Sequence, residues 1–86
     1  MKIISEISRL NSELYELQNK FRYYQNKQEH DKRDLVMWDP LDGLTKEQHE
    51  NLYYVEIWSN RQNLRALQNE IIELRKKIKT IQRKQN

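Results

Sequence analysis

Hydrophobic residues in the first half of the chain recur at alternating intervals of three and four positions. They are Ile3, Ile7, Leu10, Leu14, Leu17, Phe21 and Tyr24. This spacing is the heptad pattern of a helix that packs one side against a partner helix in a coiled coil. The same frame continues through Gln28 and Asp31 to Leu35. It predicts a first helix from about residue 3 to about residue 34.

The second half carries a similar heptad pattern. Its seam consists of Tyr53, Ile57, Asn60, Leu64, Leu67, Ile71, Leu74, Ile78 and Ile81. Thr45 and Gln48 have the spacing of a capping box, in which the hydroxyl and the amide bond to free backbone N–H groups. The sequence therefore predicts a second helix from about residue 45 to about residue 84.

Between the two patterns, the segment WDPLDGLT from Trp38 to Thr45 holds the only proline and the only glycine of the chain. Pro40 lacks an amide proton and disfavours helical geometry at Asp39, and Gly43 can adopt the left-handed conformation that ends a turn. The sequence predicts a break at residues 35–44. We therefore expect an all-α fold, a single two-helix antiparallel coiled-coil hairpin over residues 1–86.

Heptad spacing allows two registers for such a hairpin. In the favoured register Gln28 lies opposite Asn60, so that the two amides within the seams meet each other. In the other, Asn60 faces Phe21, and an unpaired buried amide destabilises by about 1–3 kcal/mol. The sequence predicts the first register.

Charged residues beside the seams favour the same register. The expected pairs are Glu6 with Lys84, Glu13 with Lys77, and Lys20 with Glu70. Each exposed pair contributes about 0.2–1 kcal/mol, so these pairs select the register more than they stabilise it. Two misfits remain next to the turn, where Asp31 lies opposite Ile57 and Asp34 lies near Glu56. We expect the helices to splay there. Because a two-helix layer buries only one stripe of each helix, we also expect a homodimer that forms a four-helix bundle.

Composition narrows the function classes. Hydrophobic residues make up 36% and charged residues 34% of the 86 residues, which is typical of long helices and leaves little room for a deep pocket. There is no cysteine, and neither His30 nor His49 stands in a metal-binding motif. We expect no enzyme activity, no metal and no cofactor. No long apolar run predicts a signal peptide or a membrane span, so we expect a cytoplasmic protein.

Aromatic residues concentrate in the half of the predicted hairpin that lies next to the turn. One interpretation is a small satellite core, in which Leu35, Val36, Met37, Trp38 and Leu41 fold back over the start of the second helix. The other is a recognition surface, because Leu52, Val55 and Trp58 lie off the seam and Trp and Tyr are common interface anchors. The candidate protein-binding residues are Met37, Trp38, Leu52, Tyr54, Val55 and Trp58.

The end of the chain is basic. The formal net charge is +3, but residues 64–86 carry seven basic and two acidic side chains. An outward stripe of the second helix contains Arg65, Lys76, Lys79 and Arg83. It could follow the phosphates of a nucleic acid, or it could simply be a solvated face whose charge suits the helix C-terminus.

Two functional hypotheses follow. The first is a non-enzymatic protein-binding module that acts by steric binding or scaffolding on another protein or on a second copy. The small size and the frequent Ile, Lys and Asn suit a small regulatory viral protein, such as a phage or mobile-element inhibitor or assembly factor. The alternative is a small nucleic-acid-binding protein that uses the basic stripe of the second helix.

Overall fold

The fold is an extended helical hairpin, as the heptad patterns predict. The structure, a computed structural model, describes residues 2–85 and the side chains of residues 5–84. Helix α1 spans Lys2–Leu35 and helix α2 spans Lys46–Gln85, with a short 3₁₀ turn at Pro40–Asp42 between them. The two helices pack against each other, and the molecule measures 63 × 15 × 13 Å. The described residues contain no strand.

The first half of the break forms a short capped turn that begins after α1 has ended at Leu35. The side chain of Asp39 accepts a hydrogen bond of 2.9 Å from the Leu41 amide, and Pro40 occupies the first position of the 3₁₀ turn. Gly43 ends this turn in the left-handed region with φ of 81°. Its amide donates to the Pro40 carbonyl at 3.4 Å. A residue with a β-carbon is disfavoured in this conformation, which accounts for the single glycine.

The second half of the break starts α2 with the predicted capping box. The backbone amide of Gln48 donates to the Thr45 hydroxyl at 3.1 Å, and the backbone amide of Thr45 donates to the Gln48 side-chain oxygen at 3.0 Å. Trp38 braces the same segment, because its indole nitrogen donates to the Leu44 carbonyl at 2.9 Å. These local bonds fix the reversal of the chain between the two helices.

The core is a thin stripe between the helices. The radius of gyration is 19.3 Å, whereas a compact domain of this length would have about 12 Å. Among the described side chains, the buried hydrophobic residues are Leu10, Ile71 and Ile78. The other hydrophobic seam residues between Ile7 and Ile81 are half-buried. Each helix therefore buries its predicted seam, but one partner helix cannot cover the seam completely.

One hydrogen bond between the helices identifies the register. The Asn60 amide nitrogen donates to a carboxylate oxygen of Asp31 at 2.6 Å. In the rejected register Asn60 would face Phe21, about 15 Å from Asp31 along the helix axis. The structure therefore has the register in which Gln28 lies opposite Asn60.

The two amides do not bond to each other, however. Gln28 and Asn60 are both buried, yet their side-chain oxygens have no hydrogen-bond partner within the described part of the chain. Asn60 bonds to Asp31 instead, one turn nearer the connection. A carboxylate accepts a stronger hydrogen bond than a neutral amide does, which favours this choice.

The expected pairing of flanking charges is also wrong in detail. Within residues 5–84, ion pairs shorter than 4.0 Å do not join Glu6 to Lys84, Glu13 to Lys77 or Lys20 to Glu70. The latter two pairs only line common grooves. The ion pair that does join the helices is Lys27 with Glu56, at 3.3 Å.

The two predicted misfits are resolved at the turn end. Asp31 accepts a hydrogen bond from Asn60. Glu56 forms an ion pair with Lys27, which offsets its repulsion from Asp34. His49 is also buried, and its Nε2 atom lies 2.8 Å from the Asp34 carbonyl oxygen. The helices therefore remain joined down to the turn, and the expected splaying does not occur.

The satellite core is not formed. Of its five expected members only Leu35 is half-buried, whereas Leu41 is 91% exposed and Val36, Met37 and Trp38 are also exposed. The connection is short and is held by its own backbone and capping bonds. It cannot fold back over the first turns of α2.

Candidate protein-binding surface

Exposed apolar side chains gather at the turn end of the hairpin. We name this surface the turn-end patch and define it by Met37, Trp38, Leu52, Tyr54, Val55 and Trp58. All six side chains are exposed, and Val55 and Trp58 are 65% and 63% exposed. Val36 and Leu41 extend the exposed apolar surface around the connection. Large apolar side chains are usually buried on folding or on binding, so a group of exposed ones indicates a contact surface.

The helical part of the patch wraps around the outer edge of α2. Leu52, Val55 and Trp58 follow one another at intervals of three residues, and Tyr54 lies one turn before Trp58. Val55 points away from α1, while Leu52 and Trp58 lie on either side of it. This spacing places the four side chains on neighbouring positions of a single helix surface.

The remaining two residues lie in the connection between the helices. Trp38 is 36% exposed, and its indole nitrogen donates to the Leu44 carbonyl. Met37 is more exposed, and its backbone amide donates to the Asp34 carbonyl at 3.1 Å. Met37 and Trp38 are therefore exposed on a connection whose backbone groups are hydrogen-bonded.

Polar contacts between the helices support the patch from below. His49 packs on Tyr53 with ring centroids 4.9 Å apart and bridges to the Asp34 carbonyl oxygen of α1. The hydrogen bond from Lys27 to Glu56 raises the pKa of Lys27 above its usual 10.5. This pair lies within one turn of Val55. The part of α2 that carries the turn-end patch is therefore joined to α1 by side-chain contacts.

The basic residues of the alternative hypothesis do not form one continuous surface. Arg65, Lys76, Lys79 and Arg83 are all exposed, and Lys76 lies 3.6 Å from Glu73. Helical spacing places Arg65 and Lys79 on one broad face of the hairpin and Lys76 and Arg83 on the outer edge of α2. The outward stripe is therefore partly neutralised and divided between two surfaces.

The described residues can be compared with the requirements of a metal site, a pocket and a membrane span. They contain no group of three His, Asp or Glu side chains that could hold a metal ion. Several open grooves run along the helix pair, and they are lined by residues of both helices or of α1 alone. No helix in the described part of the chain combines the length and the apolar composition needed to cross a bilayer.

Comparison with known proteins adds no function to this geometry. No protein-family model matches the chain, and neither the curated proteins nor the solved structures contain a significant match.

Proposed function

We propose that the chain is a non-enzymatic protein-binding module that uses the turn-end patch to hold another protein. The observation that carries the proposal is the exposure of Val55 and Trp58 on a part of α2 that His49 and Asn60 join to α1 through part-buried polar contacts. Trp and Tyr anchors that sit on a rigid helix lose little conformational entropy on binding, and they contribute strongly to affinity. The module would act sterically, as a clamp or scaffold.

A second copy of the chain is the first partner to test. The turn-end patch leaves several large apolar side chains in water, and the same patch of a second hairpin would cover them. Light scattering over a concentration series measures this directly. Self-association through the patch predicts a dimer that Trp58→Ala and Val55→Glu abolish.

A foreign partner is tested by affinity capture from the native host, followed by mass spectrometry of the bound proteins. Wild type should retain a defined partner that Trp58→Ala and Val55→Glu lose. Replacement of Lys76, Lys79 and Arg83 by Gln is the matched control, because these exposed residues lie outside the patch. If the Trp58 and Val55 variants keep full capture and full self-association, the proposal is wrong.

A further inference from the structure

The two broad faces of the hairpin differ in charge. One face contains two grooves along the helix pair. Arg22 and Arg75 line the first groove of about 350 Å³, and Lys32 and Arg61 line the second. Helical spacing adds Arg65 and Lys79 to the same face. We name it the basic face and define it by Arg22, Lys32, Arg61, Arg65, Arg75 and Lys79.

The basic face has almost no negative charge of its own. Glu29 is the acidic residue that lines its grooves, and no ion pair within residues 5–84 involves the six cations of the face. The opposite face mixes both signs. Its grooves carry Glu13, Glu70 and Glu73 beside Lys20 and Lys77. Most acidic side chains of the helix pair therefore lie where they cannot neutralise the basic face.

The shape of the basic face indicates the kind of anion. Its α2 cations extend from Arg61 to Lys79, which is about 27 Å along a straight helix and equals about eight base pairs of a duplex. Side-chain amides of Gln18, Gln25 and Gln68 lie between the cations in the first groove. Arginine, lysine and glutamine are the side chains that commonly bond to phosphate oxygens.

Two other occupants suit this face less well. A second copy would place net positive charge against net positive charge. An acidic amphipathic helix would need a broad apolar surface to bury, but of the three apolar residues that line the first groove Ile71 is buried and Phe21 is half-buried. Ile72 is the exposed one, and a single side chain of this kind is too small to seat a helix.

We propose that the basic face binds the phosphate backbone of a nucleic-acid duplex, with no preference for sequence. The helix pair is 15 Å across, whereas the major groove of B-DNA is about 12 Å wide. The pair cannot enter the groove to read base edges. It lies along the duplex and contacts phosphates, which explains why the cations follow a line instead of surrounding a pocket.

The test is fluorescence anisotropy of the full chain with labelled 20-base-pair duplexes of arbitrary sequence, one of DNA and one of RNA. Binding should weaken steeply as salt rises from 50 to 200 mM, with a log–log slope of about −4 to −5 for four to six phosphate contacts. Binding of either duplex supports the proposal, and the tighter one identifies the source of the backbone.

A pair of matched variants locates the site. Arg22→Gln with Arg75→Gln removes two charges from the basic face. Lys20→Gln with Lys77→Gln removes two charges at the same level of the opposite face. We expect the first variant to bind about tenfold more weakly, with a slope shallower by about two, and the second to change affinity less than about threefold. All four positions are exposed, and circular dichroism checks that the helices persist.

Three results would overturn the proposal. They are no duplex binding at 50 mM salt, an equal loss in both variants, and binding of polyglutamate as tight as that of the duplexes. The last result would assign the face to an acidic protein segment. The test is independent of the turn-end patch, because Arg75 lies about 25 Å along α2 from Trp58.

Discussion

The amide nitrogen of Asn60 lies 2.6 Å from a carboxylate oxygen of Asp31, and this hydrogen bond crosses from α2 to α1. Asn60 is 1% exposed, so its amide has little access to water. A buried polar contact of this kind adds little net stability, because both groups must leave water. It makes every other register worse, however, since a shift by one heptad would leave both groups without a partner. The contact therefore specifies how the two helices align.

Replacement of Asn60 tests this role. Asn60→Ala leaves the Asp31 carboxylate without its partner, and we expect the free energy of unfolding to fall by about 1–3 kcal/mol. Urea unfolding followed by circular dichroism measures the change. Ser59→Ala, at the exposed neighbouring position, should change stability by less than about 0.5 kcal/mol. Equal stability of the two variants would show that the contact is unimportant.

The helices and the turn follow from local sequence rules, whereas the polar contacts between helices do not. Pro40, Gly43 and the Thr45 capping box act within a few residues, so their geometry is predictable from spacing. Asn60 of α2 can reach either Gln28 or Asp31 of α1, because these two residues lie about one helical turn apart. Heptad positions name which residues face each other, but they do not rank a carboxylate against an amide.

The same limit applies to surfaces. Heptad spacing predicts the contacts across the seam and the charge pairs on one side of it, but not the grooves on the other side. Arg22 and Arg75 occupy that other side on different helices, so their common groove appears only when the helices are paired. The burial of His49 was missed for a related reason, because the residue lies beside the seam and gains its partner from the Asp34 backbone.

His49 should contribute to stability at the turn end, whereas His30 should not. His49→Ala removes the contact with the Asp34 carbonyl oxygen and the packing on Tyr53. We expect the free energy of unfolding to fall by about 1–2 kcal/mol and amide exchange to rise in the first turns of α2. His30 is exposed, so His30→Ala serves as the matched control. Similar exchange in the two variants would contradict this role.

The ion pair of Lys27 and Glu56 should be weak and dependent on pH. Both side chains are more than one-third exposed, so a double-mutant cycle with Lys27→Met and Glu56→Gln should give a coupling of about 0.2–1 kcal/mol. Because the pKa of Lys27 is raised in the folded state, this stabilisation is complete below pH 10.5 and is lost as pH rises through the folded pKa. A coupling that persists above that pKa, or that is insensitive to salt, would contradict an ionic origin.

Gly43 tests the backbone of the reversal. A β-carbon at this position would meet no atom within 4 Å, so Gly43→Ala changes the backbone preference without creating a clash. With φ of 81°, we expect the free energy of unfolding to fall by about 1–2 kcal/mol. Gly43→Asn should lose less, since Asn tolerates the left-handed region better than Ala. Thermal unfolding compares the two, and an Ala variant as stable as wild type would show that the turn adopts another conformation.

Truncation of a side chain should reduce stability strongly in the core and little in the turn-end patch. Ile71 is buried in the seam, so Ile71→Ala should destabilise the hairpin by about 2–5 kcal/mol. Trp58 is larger but mostly exposed, and Trp58→Ala should change the free energy of unfolding of the monomer by less than about 0.5 kcal/mol. Urea unfolding at low protein concentration measures both. A large loss for Trp58→Ala under these conditions would mean that the indole serves the fold, and the binding experiments on that variant would then report unfolding instead of a lost contact.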